Sequence, residues 1–278
     1  MRLYRTTQGL ARGDGEELLL LDVPHHDVAE LLADNAQDAA VRGRLPLAEA
    51  TLLTPVARPK TVVIVGANYA GHIAEAALKV PITPAFFPIT PGPELFVGTG
   101  KPIVLPAEAP DRVDYEAELA VVLGAPAADV KAEDAARYIA GFTVANDVSA
   151  RDVQFRGMRD GAVVDLSLLQ RAKGFPTFKP LGPALVTPDE LGDDLTVTTR
   201  VNGLLRQQGR TSEMLFPVAE LVAAVSAKIP LAAGDVILTG TPAGVALASG
   251  EYLRAGDVVE VSVEGIGSLR NEVSTGGS

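Results

Sequence analysis

The stretch D-Y-E-A-E-L-A-V-V-L-G, residues 114–124, carries the pattern on which the fold and the chemistry of this chain depend. Two glutamates, Glu116 and Glu118, stand two residues apart, and an apolar run rich in valine follows them. Such a run is typical of a strand, in which residues two apart point to the same face of the sheet. We therefore expect Glu116 and Glu118 to be neighbours on one face of a strand.

Two neighbouring carboxylates repel each other, and burial makes the repulsion costlier unless a cation lies between them. A bound metal ion would remove this conflict, whereas a solvated strand face, which is common, would avoid it. A third carboxylate, Asp147, stands in G-F-T-V-A-N-D-V-S-A-R-D-V-Q, residues 141–154. There a strand gives way to polar residues, so Asp147 is either a functional side chain at a strand end or the cap of a following helix. Carboxylate ligands without a nearby histidine or cysteine favour Mg²⁺ or Mn²⁺ over zinc.

Short apolar runs bounded by turn residues dominate the chain beyond about residue 57. Helical periodicity is confined to a few segments, among them residues 72–79 and 213–229. These are too few to alternate with the strands as a doubly wound fold requires, so the pattern predicts an α+β protein with a large mixed sheet or roll. Prolines near residue 57 divide the chain into a small N-terminal domain, 1–57, and a main domain, 58–278.

Composition excludes several classes of protein. The chain has 278 residues, a formal charge of −11 and no cysteine, so thiolate nucleophiles, disulfides and cysteine-based zinc sites are excluded. Lysine and arginine are scattered, which argues against a partner that is a nucleic acid or an anionic membrane. The sequence shows no apolar signal-peptide core and no apolar run of the roughly 18 residues that a spanning helix needs. A cytoplasmic protein is therefore expected.

Six motifs in order resemble the fumarylacetoacetate hydrolase family over roughly residues 60–273. They are the two stretches quoted above, followed by R-A-K-G-F-P-T-F-K-P-L-G-P, V-N-G-L-L-R-Q-Q-G-R-T-S-E-M, G-D-V-I-L-T-G-T-P-A-G-V and G-D-V-V-E-V-S-V-E-G-I-G-S-L-R-N-E-V. The resemblance implies a mixed β-sandwich or β-roll and one divalent cation per chain, Mg²⁺ or Mn²⁺, held by Glu116, Glu118 and Asp147. It also implies a homodimer that acts on a small keto acid.

Two residues of a short helical segment form a candidate base. Glu75 follows His72 by three residues, so on a helix the carboxylate can hold the imidazole tautomer and raise its basicity. An inconsequential surface pair would show the same spacing. The family resemblance implies that His72 and Glu75 form a catalytic dyad on a mobile lid, and that Lys173 stabilises developing negative charge. Many short members of the family carry an acidic residue immediately before this histidine, where this chain has Gly71. Many also carry a lysine in the next segment, and this chain has Ile89 near that position.

Substrate contacts are predicted in two further segments. Arg151 and Gln154 follow Asp147 by four and seven residues, which would place all three on one side of a helix, although a solvated helix face is the alternative. In G-T-P-A-G-V the glycines let backbone N–H groups approach an anion, unless the segment is a plain turn. By resemblance Gly240 and Thr241 contact the substrate carboxylate.

The resemblance leaves three functions open. The first is hydrolysis of a carbon–carbon bond in an acylpyruvate or related 1,3-dicarbonyl acid, with His72 activating water. The second is other enolate chemistry on a 2-keto acid, by a decarboxylase, isomerase, tautomerase or dehydratase. The third is binding of a keto acid without turnover. We expect the hydrolase first and other enolate chemistry second. The dyad residues argue against the third function, because a binding protein needs no activated water.

Overall fold

The valine-rich runs form strands in the computed structural model, which describes residues 1–92, 94–159 and 162–276. Their bounds in the first half of the chain are β1 Arg2–Thr6, β2 Gly9–Asp14, β3 Glu17–Leu21, β4 Val41–Pro46, β5 Leu52–Leu53, β6 Val62–Gly66, β7 Ala85–Ile89, β8 Phe96–Val97, β9 Ile103–Leu105, β10 Val113–Asp114 and β11 Ala117–Leu123. The later strands are β12 Ile139–Asn146, β13 Ser149–Ala150, β14 Met158–Arg159, β15 Ala162–Val163, β16 Lys179–Val186, β17 Thr196–Val201, β18 Leu204–Arg210, β19 Val236–Leu238, β20 Val258–Val263 and β21 Gly267–Thr275. Most of the strands belong to two facing sheets, and β10 with β13 and β14 with β15 form separate pairs.

The helices are short. They are α1 Val28–Ala33, α2 Ala70–Glu75, α3 Arg151–Arg156, α4 Leu166–Lys173, α5 Val218–Ser226 and α6 Ala246–Ser249. Residues Ala132–Tyr138 form a 3₁₀ helix. Within the described ranges, no helix is long and apolar enough to cross a membrane.

The larger sheet has the strand order β4-β3-β2-β1-β16-β12-β11-β19-β6-β7, with β5 and β8 attached to β1 and β16. The smaller sheet has the order β18-β17-β20-β21-β9. Most neighbours are antiparallel, but β19 with β6 and β21 with β9 are parallel, so both sheets are mixed. The predicted α+β fold with a mixed β-sandwich is confirmed.

The centre of the larger sheet is buried on both faces, and its residues alternate between two cores with the period of a strand. Val62 and Ile64 of β6 belong to the core shared with the smaller sheet. Val63 and Val65 point the other way, into a second core that includes Leu221 of α5. Burial on both faces explains why these strands read as continuous apolar runs in the sequence.

Residues 1–57 contribute strands to the larger sheet. Strand β1 pairs with β16 in antiparallel register, with Leu3 opposite Leu185, and Leu3 is fully buried. The predicted boundary at residue 57 therefore does not coincide with an edge of the sheet. The division into domains 1–57 and 58–278 stays a prediction.

The pairing of β11 with β12 positions the candidate site. Ala117 at the start of β11 lies opposite Asn146 at the end of β12. Glu116 just precedes β11 and Asp147 just follows β12, and the N–H of Asp147 donates to the carbonyl of Glu116 at 2.9 Å. Two candidate ligands that are far apart in sequence thus meet at one end of a strand pair.

Candidate metal and keto-acid site

The three predicted metal ligands lie together. One carboxylate oxygen from each of Glu116, Glu118 and Asp147 falls within a group whose atoms are no more than 4.8 Å apart. The side chains are between 0% and 5% exposed, so the alternative of a solvated strand face is wrong. Asp147 does not cap the next helix either, because α3 begins at Arg151 and has no side-chain cap.

These residues fit a hard divalent cation. Burial, and then the neighbouring carboxylates of Asp147 and Glu116, raise the pKa of Glu118 well above its usual value. Glu118 accepts a hydrogen bond from the backbone N–H of Gly240 at 2.7 Å. The oxygen Oδ1 of Asp147 is buried and accepts no aligned hydrogen bond. Among the described ion pairs none includes Glu118, and a buried carboxylate of this kind is a donor that such a cation prefers.

The ammonium of Lys173 is itself a cation that lies between two of these carboxylates, Glu116 and Asp147. It donates to Glu116 Oε2 at 2.7 Å, to Ser149 Oγ at 2.9 Å and to Asp147 Oδ2. Burial alone would lower the pKa of Lys173, but the carboxylates of Asp147 and Glu116 raise it above its usual value. Burial likewise opposes ionisation of Glu116, yet Lys173 and Arg151 bring its pKa below the usual value. Lys173 therefore stays charged beside the ligands, as its predicted role requires.

Sequence reasoning missed a second buried lysine. Lys179 is 1% exposed and lies 2.8 Å from Asp147 Oδ1, although its ammonium is not aligned for a hydrogen bond to that oxygen. It donates to the carbonyls of Phe178 and Lys173. Lys179 thus ties the end of α4 to Asp147. A lone lysine between Phe178 and Pro180 carries no sequence signal for this position.

Arg151 is held by the protein itself. Its Nε donates to Asp114 Oδ2 at 2.8 Å, its Nη2 to Glu116 Oε1 at 2.6 Å and its Nη1 to Gln154 Oε1 at 2.7 Å. The structure brings Arg151 and Gln154 to the carboxylate group, but the predicted helix side shared with Asp147 is wrong, because α3 begins at Arg151 and Asp147 lies before it. A bidentate grip on a substrate carboxylate would have to replace at least one of these contacts.

Asp114 was not predicted, although it continues the alternation of Glu116 and Glu118 along the same stretch. It is fully buried, and besides Arg151 it accepts the N–H groups of Ala246 at 2.7 Å and Leu247 at 3.0 Å. Asp114 therefore fixes the position of the Arg151 guanidinium relative to the segment that follows the Gly240–Val245 loop.

The predicted dyad is formed on α2. His72 Nδ1 lies 2.9 Å from Glu75 Oε1, and Glu75 Oε2 accepts the N–H of Gly244 at 2.8 Å. Although burial opposes it, hydrogen bonds from His72 and Gly244 lower the pKa of Glu75. An ionised Glu75 favours the tautomer in which His72 carries its proton on Nδ1, which leaves Nε2 free to accept a proton.

The departure at Gly71 has a steric reason. A Cβ added at Gly71 would lie 3.2 Å from the Cβ of Ala243, which is tighter than ordinary contact. Helix α2 therefore packs closely on the Gly240–Val245 loop, and glycine permits this approach. Ile89, the other departure, is buried on β7 opposite Val62, away from the carboxylates' cavity.

The Gly240–Val245 loop is anchored by a residue that was also missed. Gln207 is fully buried; its Nε2 donates to Thr241 Oγ1 and to the Pro242 carbonyl, both at 2.8 Å, and its Oε1 accepts the N–H of Ala117. Gly240 has φ +96°, and a Cβ there would lie 2.9 Å from Asn68, so glycine is required. The amide of Gln207 thus sets the distance between the loop and β11.

The predicted site residues gather around one cavity of about 610 Å³. Seven predicted residues line it, namely His72, Glu116, Glu118, Arg151, Gln154, Lys173 and Thr241. The other three, Glu75, Asp147 and Gly240, contact lining residues directly. The structure therefore assembles the predicted set at one place, and the individual roles stay predictions.

The mixed β-sandwich, with buried carboxylates beside a histidine–glutamate pair, defines an enzyme with a place for a divalent cation. Residues 61–274 match the family described as fumarylacetoacetate (FAA) hydrolase, C-terminal. The chain belongs to the fumarylacetoacetate hydrolase family, as the sequence motifs predicted.

Similar proteins include ones named as a tautomerase, an isomerase and a hydrolase. A mitochondrial oxaloacetate tautomerase of Rattus norvegicus is 41% identical over 233 residues, which make up 82% of this chain and 71% of that protein. The solved structure of 5-carboxymethyl-2-hydroxymuconate delta-isomerase from Mycobacterium smegmatis has a TM-score of 0.78 and 39% identity, and the match covers 99% of this chain and 100% of that one. A fumarylacetoacetate hydrolase from Exiguobacterium antarcticum has a TM-score of 0.84 and 34% identity, with 99% of each chain covered.

Proposed function

We propose that this protein is an isomerase of small 2-keto acids that interconverts keto and enol forms. The observation that carries the proposal is the meeting of the His72–Glu75 pair and the carboxylate group in one cavity. The names of the tautomerase and isomerase relatives support this function over the predicted carbon–carbon hydrolase. Interconversion moves only a proton, so it needs a base and a stabilised oxygen but no water.

Each residue has a place in this reaction. His72 removes the proton from the carbon next to the keto group through Nε2, and Glu75 stabilises the resulting imidazolium. The electrons of the C–H bond form the new carbon–carbon double bond, and the electrons of the carbonyl π bond move to the keto oxygen. That oxygen then takes the proton back from the His72 imidazolium, directly or through solvent, which restores the neutral base. Lys173, which stays protonated, faces that developing charge.

A divalent cation, Mg²⁺ or Mn²⁺, held by Glu116, Glu118 and Asp147 would supply Lewis acidity toward the keto oxygen and the substrate carboxylate. The protein's own groups orient the rest of the substrate. Gln154, which is half-buried in the cavity wall, offers its amide N–H as a neutral polar contact to the carboxylate. The hydroxyl of Thr241 donates to the Ala117 carbonyl at 2.9 Å, so Thr241 would have to release that hydrogen bond before it could donate to the substrate. Arg151 acts chiefly by fixing Glu116 and Gln154.

The predicted hydrolysis of acylpyruvates is the second candidate, favoured by the likeness to the Exiguobacterium antarcticum hydrolase. It would use His72 to activate water rather than to remove a proton from carbon. The two functions share every residue named, so the assay has to separate them by product.

The test follows the enol of oxaloacetate in Mg²⁺ or Mn²⁺ by its absorbance while total oxaloacetate is measured in parallel. An isomerase speeds the loss of enol and leaves the total unchanged, whereas a decarboxylase lowers the total. Acetylpyruvate serves as the hydrolase substrate in the same buffer. Cleavage of acetylpyruvate without any effect on the enol of oxaloacetate would overturn the proposal in favour of the hydrolase.

A further inference from the structure

The cavity has two chemically different ends. The charged lining groups Glu116, Glu118, Arg151 and Lys173 lie together and form what we call the charged end: Glu116 contacts Arg151 and Lys173, and one of its oxygens lies within 4.8 Å of an oxygen of Glu118. His72 lines the same cavity. The remaining wall includes Leu78, Phe86, Phe87, Met158, Val163 and Leu166. These come from the loop after α2, from β7, from the β14–β15 hairpin and from the start of α4.

The cavity is also larger than the head of a keto acid requires. Its volume is about 610 Å³, in the middle of the range of roughly 300–1,000 Å³ that accommodates drug-sized ligands. A two-carbon keto-acid head fills only the charged end. The remaining space is bounded by carbon, so it favours a ligand group that gains from leaving water.

Charge is scarce along this wall. Among the described lining residues, Lys79 is the only charged side chain outside the group at the charged end, and it is exposed at the mouth. A second carboxylate on the substrate would therefore meet one solvated lysine rather than a buried cation. Met158 is half-buried and lines the cavity, so its side chain faces the space that a ligand would occupy.

We propose that the natural substrate carries an apolar arm of several carbons on its keto-acid head, and that Met158 and Leu166 are specificity-determining residues that contact this arm. The inference rests on the proposed function, because it takes the charged end as the site of the keto-acid head. It assigns the substrate class as monocarboxylic keto acids with an alkyl or aryl substituent, in contrast to a short keto diacid.

The test measures binding by calorimetry in Mn²⁺ with oxalate, N-methyl oxamate, N-propyl oxamate and N-oxalylglycine. These share the planar two-carbon head and differ in the arm, and N-oxalylglycine ends in a second carboxylate. Each buried methylene strengthens binding by up to about fourfold. N-propyl oxamate should therefore bind about fivefold to fifteenfold more tightly than N-methyl oxamate, and more tightly than N-oxalylglycine.

Two substitutions test whether Met158 and Leu166 contact the apolar arm. Met158→Ser and Leu166→Ser should each remove most of the advantage of the propyl arm and leave oxalate binding unchanged. Val41→Ser, a change of an exposed apolar residue on β4, should alter neither. Equal binding of the methyl and propyl compounds would overturn the inference, and so would tighter binding of N-oxalylglycine that depends on Lys79, tested with Lys79→Met. Failure of oxalate itself to bind would instead contradict the proposed function.

Discussion

The Nδ1 atom of His72 lies 2.9 Å from Oε1 of Glu75, and the second oxygen of that carboxylate holds the N–H of Gly244. One carboxylate thus orients the candidate base and fastens α2 to the Gly240–Val245 loop. The two tasks can be separated by substitution, because a neutral amide still accepts a hydrogen bond but cannot stabilise an imidazolium in the same way.

Removal of His72 should slow turnover without weakening the binding of the head group. In His72→Ala we expect the rate of oxaloacetate tautomerisation to fall by about 10²–10⁴, the usual contribution of a positioned general base. Because His72 and Glu75 act as one unit, the double alanine variant should lose much less than the product of the single losses. Steady-state rates and oxalate inhibition of the three variants check this.

Glu75→Gln is the matched control for the dyad. It keeps an acceptor for the N–H of Gly244 and should preserve the packing of α2 on the Gly240–Val245 loop while lowering the rate of turnover. Undiminished turnover in His72→Ala, or losses that multiply independently in the double variant, would show that the dyad has no catalytic role here.

Neutralising Glu118 should stabilise the metal-free protein. Burial, with Asp147 and Glu116 nearby, raises the pKa of Glu118 above the ordinary value of 4.5. A carboxyl whose folded-state pKa is raised destabilises the fold increasingly as pH rises from the unfolded-state value through the folded-state value. At pH 7 in chelator, Glu118→Gln should gain about 1–3 kcal/mol in the free energy of unfolding. Thermal unfolding measures this.

The same variant should lose the response to metal. Mn²⁺ should raise the Tm of the wild type and have little effect on Glu118→Gln, because one ligand is missing. Glu272→Gln removes an equal charge from an exposed residue of β21 and should respond like the wild type. A metal-free Glu118→Gln less stable than the wild type at pH 7 would contradict the assignment.

Asp114 should contribute to stability through its buried pair with Arg151. The two side chains are 0% and 3% exposed, so loss of Asp114 leaves the buried Arg151 charge with Glu116 as its remaining ion-pair partner. We expect Asp114→Asn to lower the free energy of unfolding by about 3–5 kcal/mol. Glu17→Gln, which breaks the exposed pair with Arg44, should cost less than about 1 kcal/mol. Equal effects of the two variants in urea unfolding would rule out the proposed difference.

Gly71→Ala should lower the rate of turnover by shifting α2 relative to the Gly240–Val245 loop, rather than lower the stability of the fold. Alanine favours a helix over glycine by up to about 1 kcal/mol, so Gly71→Ala should not destabilise α2 itself. Its methyl group should push α2 away from Ala243 and lower turnover by up to about tenfold. Adding Ala243→Gly should restore the rate. A double variant as slow as the single one would show that this contact is irrelevant.

Self-association is a further prediction, since the homodimer expected from the sequence rests on family resemblance. Leu204 and Leu205 on β18 are 61% and 46% exposed, and an interface between two copies of the chain could cover such side chains. Sedimentation at micromolar concentration should give a mass near that of two chains. A mass near 28.9 kDa would contradict the dimer.

The carboxylate ligands could be predicted because their signal is local. Glu116 and Glu118 share a face through the two-residue period of a strand, and Asp147 stands at a strand end. The same period includes Asp114, so that residue could have been found as well.

Other parts of the site depend on contacts that no local pattern shows. Gln207 bonds to Ala117, 90 residues away in sequence, and its neighbours give no hint of that partner. Asn68 could have capped α2, but it lies 1% exposed and bonds to the Thr239 carbonyl and to Phe216 instead. The protein hydrogen bonds that hold Arg151 likewise emerge only when three segments come together. These side chains lie where they do because buried polar groups need hydrogen-bond partners, and here the partners come from distant parts of the chain.

The division of labour within the cavity has an evolutionary consequence. The carboxylate ligands lie on or beside the buried strands β11 and β12, and Lys173 is bonded to them, so substitution there endangers folding as well as catalysis. The proposed arm-contacting wall is carried largely by short peripheral segments such as the β14–β15 hairpin, which pairs with no strand of the main sheets. A lineage can therefore exchange one substrate for another by mutating these segments, while the inherited reaction and the stability of the scaffold persist.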